Sequence, residues 1–191
     1  MNNLLVIVLS AVLIENFVLV KFLGICPFLG VSKKLSSAIG MGMAVIFVMG
    51  LSSAIAWLLN EYVLVSLKLE YLQTIVFILV IAVLVQFVET LLKKVSPSLY
   101  KALGIYLPLI STNCAVLGVV LLNLERNYNF IESVVYGSGG GIGFTLALTL
   151  FAGIRERMEN TDVPEMFQGF PIALMGAALV SVSFFGFRGL F

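Results

Sequence analysis

The chain carries apolar runs too long and too numerous for a water-soluble fold. Thr74–Phe87 is apolar almost throughout. Six such stretches lie near 4–24, 38–59, 72–92, 102–124, 133–154 and 170–190; each is roughly 20 residues, the length a helix needs to cross a ~30 Å hydrocarbon core. In lipid every backbone N–H and C=O must be satisfied by the protein itself, which leaves helices or closed barrels. Barrel strands alternate apolar and polar residues, and these runs do not. Of the 191 residues 61% are hydrophobic and 11% charged, where a soluble domain carries about a quarter charged. A chain this short cannot enclose so much apolar surface, so the surface faces lipid. The expectation is an all-α integral membrane protein with six transmembrane helices. No linker or low-complexity segment divides it, so 1–191 is read as one polytopic domain.

Charge sets the orientation. The connections holding Lys33, Lys34, Lys93, Lys94, Lys101, Arg155 and Arg157 alternate with connections holding Lys68, Arg126 and Arg188. The positive-inside rule then puts the first set in the cytoplasm and both termini outside. Met1-Asn2-Asn3 lacks the positive region of a signal peptide, so the first stretch is expected to stay as a span. The net charge of +1 shows no basic field for nucleic acid. Histidine is absent, which excludes His-ligated metal and His-based catalysis within this chain.

The two halves, about 1–95 and 96–191, look alike. Cys26-Pro27-Phe28-Leu29-Gly30 and Cys114-Ala115-Val116-Leu117-Gly118 both read C-x-x-L-G. Ser37-Ala38-Ile39-Gly40-Met41-Gly42 and Ser138-Gly139-Gly140-Gly141-Ile142-Gly143 both read S-x-x-G-x-G. Three spans per half give the second copy the opposite orientation. Such inverted repeats place functional sites near the midplane, at interrupted helices. Interruption is expected here: Leu4–Val31 as one helix would reach roughly 42 Å, longer than the core, and Gly24, Pro27 and Gly30 are read as breaking it around Cys26. Pro108 and Ser111-Thr112-Asn113 are read as doing the same before Cys114. The glycines at 137–143 are read as packing residues, because small side chains let spanning helices approach closely.

The two cysteines allow several readings. Free cysteine serves often as a small buried apolar residue; a disulfide has no oxidising location to favour it; metal ligation would use thiols that the repeat brings together. Two thiolates are half of the usual four-ligand set of an iron–sulfur or closed zinc site, so a partner chain would have to supply the rest. Residues alone do not choose between iron–sulfur and zinc. Glu15, Lys21 and Glu89 lie within or near apolar spans, where ionisable groups are costly and are functional candidates. Glu15, the most central, is a candidate for the ion path or for a hydrogen bond to a partner chain. Six residues separate it from Lys21, which is read as snorkelling to the interface. Glu89 stands four residues before Lys93, as in an interfacial pair.

Three segments carry a resemblance. Glu15-Asn16-Phe17-Val18-Leu19-Val20-Lys21-Phe22-Leu23-Gly24-Ile25-Cys26-Pro27-Phe28-Leu29-Gly30-Val31-Ser32-Lys33-Lys34 and Leu103-Gly104-Ile105-Tyr106-Leu107-Pro108-Leu109-Ile110-Ser111-Thr112-Asn113-Cys114-Ala115-Val116-Leu117-Gly118 are similar to the signatures of the A subunits of Rnf electron-transport complexes. Ala152-Gly153-Ile154-Arg155-Glu156-Arg157 with Asp162-Val163-Pro164 resembles a third. The related E subunits of sodium-translocating NADH:quinone reductases share much of the pattern; Phe17–Lys21 and Pro27 resemble the Rnf protein, and Glu15 the quinone-reductase one.

The Rnf resemblance implies a bacterial inner-membrane complex that passes electrons from reduced ferredoxin to NAD⁺ and exports Na⁺ or H⁺; a related complex reduces a redox-sensing regulator. It implies a homologous E subunit of opposite topology as partner, with the B, C, D and G subunits of the complex beside the pair. Between them the two homologues would hold one [2Fe–2S] cluster, with Cys26 and Cys114 as this chain's ligands. Flavin and NAD would sit on other subunits, and no dinucleotide-binding fingerprint is present here. A non-redox secondary transporter or channel with structural cysteines, and a membrane component with a purely structural role, are the alternatives.

Overall fold

The computed structural model describes residues 2–65, 70–95, 109–110, 112–158 and 164–189. These residues form helices and turns, with no strand among them. Helix α1 (Asn2–Leu9) runs into a π-helical turn, Ser10–Ile14, and stops at Glu15. Residues 16–24 are irregular, and a short helix, α2 (Ile25–Val31), follows. α3 (Leu35–Leu59) is continued by a π turn, Asn60–Leu64. The others are α4 (Gln73–Val95), α5 (Cys114–Glu125), α6 (Phe130–Met158) and α7 (Phe170–Phe185).

Among the described residues three segments are long and apolar enough to cross a membrane, Leu35–Leu64, Gln73–Leu91 and Phe130–Met158; Leu4–Ile14, Cys114–Glu125 and Phe170–Phe185 are shorter apolar helices. The apolar stretches read from sequence at 38–59, 72–92, 133–154 and 170–190 thus correspond to helices. The beginning of the fourth stretch (102–108), Pro108, Ser111 and the boundary between the halves lie outside the described residues.

α3 and α6 form the centre, packed antiparallel through the small residues that the sequence repeats. A Cβ on Gly42 would meet Thr145, one on Gly141 would stand 2.7 Å from Ile46 Cα, and one on Gly137 would collide with Ser53. Since lipid gives helices no hydrophobic reason to associate, close backbone approach supplies the attraction. The glycine run in α6 also admits the first span on its other face: Gly139 abuts Val8 and Ala11, and Gly143 abuts Val12. α4 is peripheral. It buries Phe77, Ile81, Val85 and Val88, spaced three or four apart as one helix face requires, and exposes Ile75, Leu79, Val83 and Phe87.

The break in the first span differs in position from the sequence expectation. It covers Glu15 to Gly24 and ends before Cys26, whereas Pro27 and Gly30 lie inside α2. Proline is tolerated in a first helical turn, where its missing N–H has no partner to lose. Gly24, with φ of 83°, is the glycine that interrupts; Phe22 is also left-handed, at φ of 56°.

Candidate functional site at the broken helices

α6 serves as a ruler for depth. Val8 lies beside Gly139, the Asn16 amide donates to the Gly143 carbonyl, and Gly24 packs against Phe144. Phe28 stacks on Phe151 with centroids 4.4 Å apart, and Arg155 reaches Leu29 and Ser32. From Asn16 to Gly24 the chain therefore gains almost nothing along the α6 axis. It lingers at residues 143–144, half-way along a 29-residue helix.

Asn16 holds this segment. It is fully buried. Its Oδ1 accepts the N–H groups of Val18 (3.1 Å) and Leu19 (3.2 Å), and its Nδ2 donates to the carbonyls of Val12 (3.1 Å) and Gly143 (2.8 Å). Irregular backbone at membrane depth is tolerated only when buried in protein or lining a cavity, and Asn16 supplies the partners a helix would have given. Arg155 does the same at the other end: its Nη1 donates to the Leu29 carbonyl and to Ser32 Oγ, both at 2.8 Å. A cation at the C-terminal carbonyls of α2 is also favoured by the backbone dipoles.

The second break is built alike. Thr112 and Asn113 are non-helical, and Asn113 caps α5, its side chain accepting from the Ala115 N–H at 3.0 Å. Asn113 Nδ2 is buried and finds no hydrogen-bond partner among the described residues. Cys114 is the first residue of α5, and Cys26 lies in the first turn of α2. The two starts touch: the Gly24 N–H donates to Cys114 Sγ at 2.9 Å, and Gly24 packs on Ala115 and Asn113. Both cysteines are free and exposed on the surface of the chain. The reading of them as small buried core residues is therefore corrected. Cys26 also lines a cleft of about 850 Å³ with Lys33, Arg155, Met158 and Gln168. Among the described residues no group of three or more Cys, His, Asp or Glu comes together.

Glu15 has partners within the chain, where sequence reading weighed a hydrogen bond to another chain. Arg126 Nη2 donates to both carboxylate oxygens, the Tyr136 hydroxyl donates to Oε2 at 3.2 Å, and Lys21 Nζ lies 3.7 Å from Oε2. Lys21, read as snorkelling to the interface, thus also stands within ion-pair distance of Glu15. Its separation from Glu15 forbids pairing on a helix, but the helix ends at Ile14 and the chain turns back under Glu15. Arg126 lies in the connection between α5 and α6. Against partial desolvation, hydrogen bonds to Tyr128 and Glu15 raise its pKa, so it stays cationic at any working pH. Glu89 and Lys93 lie one turn apart on α4.

Sequence reading singled out Cys26, Cys114 and Glu15 but missed Asn16, Asn113, Arg126, Tyr136 and Arg155 as working residues. Two of these had a signal: Asn16 is a polar residue inside an apolar run, and Asn113 directly before one is a helix-start pattern.

Among the described residues, several apolar helices, two of them starting at a break with a thiol in the first turn, define an all-α protein of the multi-pass membrane class. The family model described as Rnf-Nqr subunit, membrane protein, matches residues 4–191, and the chain belongs to that family. It is 59% identical over 188 residues to the A subunit of the Na⁺-translocating ferredoxin:NAD⁺ oxidoreductase complex of Acetobacterium woodii, covering 98% of each chain. It is 60% identical to the A subunit of the ion-translocating oxidoreductase complex of Serratia proteamaculans and 57% identical to that of Vibrio cholerae, each over 190 residues, all of this chain and 98% of the relative. The resemblance to A subunits stands on these relatives.

Proposed function

We propose that this chain is the A-type membrane subunit of an ion-translocating ferredoxin:NAD⁺ oxidoreductase, and that Cys26 and Cys114 are half the ligands of a [2Fe–2S] cluster shared with a homologous E subunit. The observation that carries the reading is the pair of free, exposed thiols at adjoining helix starts, linked through the Gly24 N–H. The donor set fits the group in kind. Thiolates are soft ligands suited to iron–sulfur centres, and their exposure leaves them open to a second chain. No group of three or more Cys, His, Asp or Glu forms here among the described residues, so a four-thiolate set would take two cysteines from a partner.

When bound, such a cluster supplies a one-electron relay point between donor and acceptor. The residues of this chain hold its position. Asn113 fixes the start of α5, and Arg155 and Gly24 fix α2. Flavin and NAD belong on other subunits, with the B, C, D and G components as the remaining partners.

The architecture supports a two-fold inverted repeat of three spans each. Both halves run break, short helix, long glycine-rich helix, and the two long helices pack antiparallel. The breaks at 15–24 and 112–113 are the hinges such a repeat would use to move Na⁺ or H⁺ by alternating access. Glu15 joins this proposal as a clasp. Its carboxylate is compensated by Arg126 and Lys21, so a role on the ion path requires that clasp to open and a cation to replace them. We further place the protein in the bacterial inner membrane with both termini outside, from the distribution of Lys and Arg.

The test is electron transfer from reduced ferredoxin to NAD⁺, with Na⁺ uptake, in inverted vesicles carrying Cys26→Ser or Cys114→Ser. Loss of both activities with the complex still assembled is expected. Full electron transfer in either variant would reject the relay and favour a transporter with structural cysteines.

A further inference from the structure

The Gly24–Cys114 contact reaches beyond holding the two helix starts together. The Gly24 N–H points at Cys114 Sγ from 2.9 Å, and this donor belongs to the other half of the chain, ninety residues away. Three neighbours fix it there. A Cβ on Gly24 would stand 2.8 Å from Phe144 Cε2, 3.1 Å from Ala115 Cβ and 3.1 Å from Asn113 Oδ1. The same Asn113 caps α5, so donor and sulfur are oriented by one residue. The backbone at Gly24 is left-handed, φ of 83°, a conformation open to glycine and, less readily, to asparagine.

We propose that Gly24 is a positioning residue for the sulfur centre: its N–H···Sγ bond to Cys114 raises the reduction potential of the cluster that Cys114 ligates. The reasoning rests on the [2Fe–2S] reading above. Reduction adds negative charge that spreads onto the ligand sulfurs. Hydrogen bonds to the sulfurs are among the levers that set such a potential. A donor held in place beforehand stabilises the reduced state without reorganising. Cys114 remains an exposed residue with this bond in place.

The experiment uses the whole complex with Phe144→Leu as background, which clears the atom that a Cβ at position 24 would strike first. Gly24→Asn can keep the left-handed backbone and the donor; Gly24→Val, β-branched, cannot. Potentiometric titration of the cluster's paramagnetic signal is expected to give Gly24→Asn a midpoint close to the background and Gly24→Val a lower one, at equal iron content. In protein labelled with [¹⁵N]glycine, pulsed resonance should find a coupled nitrogen in the background that disappears in Gly24→Asn. Equal midpoints in both variants, no glycine nitrogen to lose, or loss of iron from both would overturn the proposal. A parent complex with no signal dependent on Cys114 would fail the cluster reading itself, and is told apart by its missing signal.

Discussion

Asn16 is buried inside an apolar run, and its amide makes four bonds: two within the break, one to the preceding turn and one to α6. Asn16→Ala takes the acceptor from the Val18 and Leu19 N–H groups and a donor from the Val12 and Gly143 carbonyls. We expect it to lower stability on the order of 3 kcal/mol, read as reduced thermal stability of the purified complex. Asn16→Asp should be worse, because it also buries a charge. Arg155→Ala removes both bonds to the end of α2 and should cost about 2 kcal/mol. Arg155→Lys should recover part of that, since a single ammonium can reach one acceptor but lacks the planar fork. Thermal denaturation of the pair of variants in the same detergent checks the order.

Among the elements, the α3–α6 contact gives the sharpest contrast. Gly141→Ala would push a methyl against the backbone of Ile46, whereas Gly153 has nothing within 4 Å of its Cβ position. Gly141→Ala should destabilise by about 1–3 kcal/mol. Gly153→Ala should be neutral or stabilising by up to about 1 kcal/mol, from helix propensity alone. Equal melting behaviour of the two variants would contradict the packing described. The packing role of this glycine run was legible from Gly137 to Gly143, since small residues in a span have one common use. The break was legible as a necessity of length, and less so in position. Pro27 is a helix breaker by reputation, yet it occupies a first turn. The residue that holds the break is a polar side chain whose partners, Val12 and Gly143, come from two helices and cannot be read from spacing. The Glu15–Lys21 pair was hidden for the same reason: a helical ruler does not apply across a turn.

For the whole molecule, the orientation proposed from the Lys and Arg distribution is tested by reporter fusions. A periplasmic-active enzyme fused after Gly189 should be active, and one inserted at Lys33–Lys34 inactive; the reverse pattern would invert the topology. The proposed function rests on one arrangement at this scale, two exposed thiols of one chain that two from a partner would complete to a four-thiolate set. Cys26 and Cys114 were visible as paired motifs, but their exposure and the contact between their helix starts belong to the fold. The most direct measurement is electron paramagnetic resonance of the reduced, purified complex, with iron and acid-labile sulfide determined on the same samples. Loss of one [2Fe–2S] signal, with matching loss of iron and sulfide, is expected in both Cys26→Ser and Cys114→Ser while the other centres persist. An unchanged spectrum and iron content in either variant would contradict the account.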